Sequence, residues 1–114
     1  MIAKLNRFHG LGALRGVYKR GQVVRSQTIS LKFEKKLNQK SFRLAVVVSK
    51  KVHKSAVVRN RIRRRIYEIV RTQTGLKLEG YDFVFTAFSE EVAVIEHSLL
   101  QEKIHELLAK ATKG

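Results

Sequence analysis

The side chains in this chain best equipped for chemistry are cations. Arg59, Arg61, Arg63, Arg64 and Arg65 fall within seven positions, preceded by Lys50, Lys51 and Lys54 and followed by Arg71. Glu68 is the one acid among them. Guanidinium groups present planar forks of N–H donors that match phosphate oxygens, so the chemistry on offer is phosphate binding. Phosphodiester cleavage would need more: carboxylates to hold Mg²⁺, or paired histidines for proton transfer. Glu34 and Glu68 are the only acids of the basic region, and Glu68 is spaced to pair with Arg64 or Arg71 on a helix. Glu90 and Glu91 are adjacent but lie outside that region, where they begin a helix or loop. His9, His53, His97 and His105 are scattered, and the last two stand eight apart, which is not ligand spacing. His53, between Lys51 and Lys54, could touch a phosphate, though a loop histidine is solvent-exposed by default. No Walker loop or Gly-x-Gly-x-x-Gly is present. The site residues therefore bind, and nothing here catalyses alone.

A helix must carry these cations. At about 100° per residue, Val58, Ile62, Ile66, Ile69 and Val70 share one apolar sector. Asn60, Arg64, Tyr67 and Arg71 occupy the opposite face, flanked by Arg61 and Arg63. Arg59 and Arg65 stand at the edges of the apolar sector, where their stems can snorkel. Ser55 is placed to N-cap this helix, and Gly75 to stop it. Cations at a helix N-terminus oppose its dipole by roughly 0.3–1 kcal/mol each. Lys50, Lys51, Lys54, Arg59 and Arg61 have the wrong sign for the helix alone and the right sign once a polyanion binds.

The remaining elements follow from periodicity. Leu11, Leu14 and Tyr18 share a face at helical spacing, which predicts a short helix ending at Gly21. Over residues 27–33, Ile29, Leu31 and Phe33 alternate with Thr28, Ser30 and Lys32, the pattern of a strand with one wet side. Residues 34–41 form a polar connection, and residues 42–49 an apolar run suited to a central strand. Residues 81–88 make a third strand rich in aromatics. The structure of residues 89–96 is left open, and Leu100, Ile104, Leu107, Leu108 and Ala111 mark a closing helix. Residues 1–9 read as irregular and basic. The expected fold is α+β, an α/β sandwich in one domain spanning residues 1–114, with element order α-β-β-α-β-α. Its mixed sheet is packed by helices, and a βαβ crossover carries the arginine helix.

Composition sharpens the partner class. The chain has 114 residues and a net charge of +15. Residues 1–78 hold 21 Lys and Arg against two acids, whereas residues 79–114 hold three Lys against seven acids. Such confinement marks a defined polyanion-binding face. No stretch of about 18 apolar residues is present to span a membrane, and no amphipathic helix has the bulky apolar face of a membrane-surface binder. Cysteine is absent, which removes disulfides and thiolate chemistry and fits a reducing cytoplasm.

The segment VVVSKKVHKSAVVRNRIRRRIYEIVR, residues 46–71, resembles the signature of the bacterial ribonuclease P protein component. There a strand ends in SKK, a short loop follows, and a helix opens with AVxRNRxKRxxRE. The first helix ending VYKRG before a Val-rich strand, and the closing LLxxKIxxLLxKA helix, are similar to the family as well. The resemblance implies an RNA-binding subunit of an endoribonuclease that removes the 5′ leader of precursor tRNA. It places the active site and its Mg²⁺ in a catalytic RNA, and the protein alone is inactive. The implied partners are that RNA and precursor tRNA, with no further protein partner evident.

Carried over, Arg59, Asn60, Arg61, Arg63 and Arg64 contact the catalytic RNA, with Lys50, Lys51 and Lys54 ahead of the helix and Tyr67 and Arg71 along it. A cleft between sheet and first helix holds the single-stranded leader, and Tyr18, Arg25, Ser30 and Lys32 are expected to line it. Tyr18 is equally readable as a core aromatic. Two positions of the helix depart from the pattern: Tyr67 replaces the usual Arg, and Arg65 the usual aliphatic. Tyr67 could stack on a base or under a guanidinium. Lys32 stands where an aromatic is usual, unless a bulge brings Phe33 there. The alternative function is a structural rRNA-binding protein of ribosomal type. A DNA-binding helix-turn-helix is disfavoured, because no second helix follows at the required spacing.

Overall fold

Apolar residues at every second position of three segments, and at helical spacing in two others, bury one continuous core. The computed structural model describes residues 11–36 and 39–113, with side chains from Arg15 onward. In chain order the elements are α1 (Leu11–Arg20), β1 (Gln22–Arg25), β2 (Ile29–Lys35), β3 (Arg43–Val48), α2 (Ala56–Arg71), β4 (Tyr81–Ala87), a 3-10 helix (Glu90–Ala93) and α3 (His97–Thr112). The irregular reading of residues 1–9 lies outside the described residues. The four strands form one mixed sheet in the order β1-β2-β4-β3. β1 and β2, and β2 and β4, run antiparallel, while β3 and β4 run parallel. The βαβ unit expected around the arginine helix is present.

Strand alternation divides the sheet into two faces. Ile29, Leu31 and Phe33 of β2, Leu44, Val46 and Val48 of β3, and Phe83, Phe85 and Ala87 of β4 enter the core. There they meet Ile62, Ile66, Ile69 and Val70 of α2 and Leu100, Ile104, Leu107, Leu108 and Ala111 of α3. The second face carries Val23 and Arg25 of β1, Ser30 and Lys32 of β2, Ala45 and Val47 of β3, and Val84 and Thr86 of β4, by register. α1 lies against β2 and β4 on that face. Val17 and Val84 are fully buried outside the main core, so a small apolar contact under α1 secures it.

Several expectations need correction. A fourth strand, β1, precedes the alternating one. With only Val23 and Val24 apolar among its four residues, it is too short for periodicity to register, and the resemblance alone pointed to it. The apolar run of β3 is an edge strand, paired with β4 only. Its inner side is covered by α2, which is why it reads as buried, and β4 takes the interior place. Ser55 does cap α2, its hydroxyl accepting from the Val58 N–H at 3.4 Å. The helix nevertheless ends at Arg71 with Thr72 as C-cap. Gly75, at φ +83°, turns the chain beyond it. Gly21 ends α1 as expected, and its backbone approaches β2 so closely that a Cβ would lie 2.9 Å from the Phe33 carbonyl oxygen.

Candidate nucleic-acid interface

α2 has no acid in its first turn, and its apolar stripe is committed to the core. Apart from Ala56, Val57 and Asn60, what remains exposed on it is cationic. Asn60, Arg61, Arg64 and Arg71 are exposed, Arg59 and Arg63 are half-buried, and Lys50, Lys51 and Lys54 are exposed ahead of the helix. Arg63 donates to Asn60 Oδ1 at 2.5 Å, one turn earlier. Glu68 accepts from Arg71, a contact that holds its carboxyl below the ordinary range and raises the Arg71 guanidinium. Arg71 is thus the partly neutralised end of the face. Tyr67 is half-buried and packs against the core, so only part of its ring remains for stacking.

Arg43 and Arg65, both counted in the sequence, are engaged elsewhere. Arg43 forms a bidentate pair with buried Asp82, at 2.8 Å from Nε to Oδ1 and 2.7 Å from a terminal nitrogen to Oδ2. That pairing raises its pKa, against the opposing effect of burial. Arg65 turns away from the outer face and donates to the carbonyl oxygens of Val92, at 2.7 Å, and Ile95. Burial, then the charge of Arg61, lowers its pKa. His53 is half-buried rather than solvated. Its Nδ1 accepts from the Ser55 N–H at 3.0 Å, and its Nε2 lies 3.9 Å from Glu90.

The second sheet face is the other candidate surface. Tyr18 does not join the core: it is 40% exposed, while its neighbour Val17 takes the buried position. Lys32 Nζ stands 5.0 Å from the Tyr18 ring centroid, within cation–π range. β2 runs in unbroken register, with Phe33 opposite Gln22 and Phe83. No bulge turns Phe33 outward, and Lys32 holds the position. Ser30, between Arg25 and Thr86, is only 7% exposed. It belongs to the floor of this face, whereas Arg25 projects at the exposed edge.

Phe88 was missed from the sequence. It is 56% exposed, and its N–H donates to the Thr28 carbonyl at 2.8 Å, extending the β2–β4 ladder by one step. Alternation from Thr86 therefore puts it on the Tyr18 face. The signal was available in YDFVFTAF, where Phe88 has the parity of Asp82, Val84 and Thr86 rather than of the core aromatics. Register also joins the two surfaces. Val48 pairs with Ala87 in parallel, so the chain leaves β3 into Lys50 and Lys51 beside the point where it leaves β4 into Phe88.

The Ribonuclease P family model matches residues 3–112. The chain belongs to the ribonuclease P protein component family. The ribonuclease P protein component of Caldanaerobacter subterraneus is 34% identical over 110 residues, covering 96% of this chain and 92% of that one. That of Clostridium kluyveri is 49% identical over 76 residues, covering 64% and 65%. Among solved structures, the Thermotoga maritima ribonuclease P protein superposes with a TM-score of 0.80 at 27% identity, over 91% of this chain and 96% of that one. The Staphylococcus aureus ribonuclease P protein, at 24% identity and a TM-score of 0.79, shares the fold over 95% of this chain and 98% of its own. As a ribonuclease P family member, this chain has the RNR core at Arg59–Arg61 of α2, with Asn60 and Arg61 exposed and Arg59 half-buried. Its second face has Lys32 at the position where the resemblance led one to expect an aromatic.

Proposed function

We propose that this chain is the protein subunit of a ribonuclease P ribonucleoprotein. It binds the catalytic RNA through α2 and the Lys50–Lys51–Lys54 loop, and binds the 5′ leader of precursor tRNA along the second sheet face. The observation that carries this reading is α2 itself, whose apolar stripe is buried while Arg61, Arg64 and the preceding lysines remain outward. Each such cation that meets a phosphate releases counterions, which supplies affinity and makes it salt-dependent.

Leader binding follows from Tyr18, Lys32, Arg25 and Phe88. Aromatic rings stack on bases regardless of identity, and lysine or arginine meets the backbone without reading sequence. Hence the leader is held with little sequence preference, and its affinity falls steeply with salt. Ser30 contributes to the floor. The Mg²⁺ that assists hydrolysis belongs to the RNA partner in this reading. Among the described residues no three His, Asp or Glu side chains come together. Asp82 and Glu34 are engaged by Arg43, Arg20 and Lys36.

A structural rRNA-binding role would use the same cations. Competition separates the two: labelled ribonuclease P RNA is bound by the protein and challenged with unlabelled ribosomal RNA of equal length. We expect the ribonuclease P RNA to be retained at a large excess of competitor. Equal competition by both RNAs would favour the ribosomal reading.

A further inference from the structure

Arg65 stands among the RNA-facing arginines yet points elsewhere. Its two terminal nitrogens donate to the carbonyls of Val92 and Ile95, the last part of the 3-10 helix region and the approach to α3. Val92 and Ala93 are buried, and the 3-10 helix packs on α2. At its other end, Glu90 lies 3.9 Å from His53, just ahead of α2. The segment directly behind Phe88 is therefore fastened to α2 through Arg65 and the buried Val92 and Ala93, with Glu90 near the loop that precedes the helix. Phe88 itself is tied forward to β2 by its N–H bond to Thr28. An exposed ring held between two ties loses less freedom on stacking than one at the tip of a loose loop.

We infer that Arg65 is a positioning residue: by clamping the Val92 and Ile95 carbonyls to α2, it holds Phe88 at the mouth of the leader face and couples that face to the RNA-binding helix. This rests on the leader reading given above. The chemistry requires a fork. A leucine fills similar space but leaves two carbonyls without their donor. A lysine keeps the charge but is a point donor that does not span both.

The test uses holoenzyme reconstituted with a ribonuclease P RNA. Dissociation constants are measured for precursor tRNA with a long leader and with none, for wild type, Arg65→Leu, Arg65→Lys, Phe88→Ala and the Arg65→Leu/Phe88→Ala double variant. Phe88→Ala should reduce the long-leader advantage by about fivefold or more, the value of one stacked base. Arg65→Leu and Arg65→Lys should each reduce it by about two- to tenfold, the equivalent of a lost hydrogen bond. Leaderless affinity and the salt slope for the catalytic RNA should stay at wild-type values. In the double variant the losses should not add.

Additive losses, an intact leader advantage in the Arg65 variants, or full rescue by lysine would each overturn the clamp. So would an equal loss of leaderless binding, which would show a merely structural role. If Phe88→Ala itself leaves the leader advantage intact, the leader face is misplaced and the inference falls with it.

Discussion

At the scale of single residues, the cations separate into those exposed on the surface and those already engaged by protein groups. Arg61 and Arg64 are exposed on the outer side of α2, away from Ile62 and Ile66. Arg61→Ala and Arg64→Ala should each lower the slope of log affinity against log salt by roughly one unit for the catalytic RNA. Their melting curves should match wild type, since neither touches the core. Glu34 behaves oppositely to a free cation. It accepts from Arg20 at 2.9 Å and lies 3.1 Å from Lys36, and the Arg20 hydrogen bond lowers its pKa from the ordinary 4.5. A depressed folded-state pKa contributes stability that is present above the unfolded value and lost as pH falls through the folded one. The pair should therefore support the fold at neutral pH, begin to lose that contribution near the ordinary 4.5, and lose it fully only as pH falls through the lowered folded-state value. Denaturation of Glu34→Gln against wild type should show a difference at pH 7 that vanishes in acid.

At the scale of elements, α2 is where sequence and structure agree most closely. Its stripe is long, its N-cap is a serine, and Ile66 is fully buried. Ile66→Ala should cost about 2–5 kcal/mol through the cavity it leaves, read as a lower denaturant midpoint at unchanged slope. α3 was equally legible, because the five apolar positions read from its spacing all enter the core. The elements that escaped are those whose determinants are not periodic. β1 has four residues and gains its place by pairing with β2. The 3-10 helix depends on Ser89 capping it, through its hydroxyl and the Glu91 N–H, and on Arg65 from a distant helix. Tyr18 was ambiguous for a related reason. Helical spacing sets it beside Leu14, but the narrow contact under α1 has room for Val17 and leaves the ring outside. Lys32 was readable from alternation and Arg25 from the resemblance alone, whereas the placing of Lys32 beside Tyr18 is a matter of tertiary packing.

At the scale of the whole molecule, one sheet separates two surfaces and joins them at one end. α2 and α3 cover the core face, α1 half-covers the other, and the parallel β3–β4 pair releases the lysine loop and Phe88 side by side. A net charge of +15, with Lys50, Lys51 and Lys54 exposed in that loop, suits a scaffold that brings two polyanions together. In the proposed reading, protein cations do part of the work that bulk divalent ions would otherwise do. The central claim is that this protein assists an RNA catalyst and cuts nothing itself. It is tested most directly by cleavage of precursor tRNA at low Mg²⁺ with RNA alone, protein alone, and both. The account predicts that the mixture releases the leader at the mature 5′ end much faster than RNA alone, with no product from the protein alone. Correct 5′ cleavage by RNA-free protein, or a mixture no faster than its RNA, would contradict it.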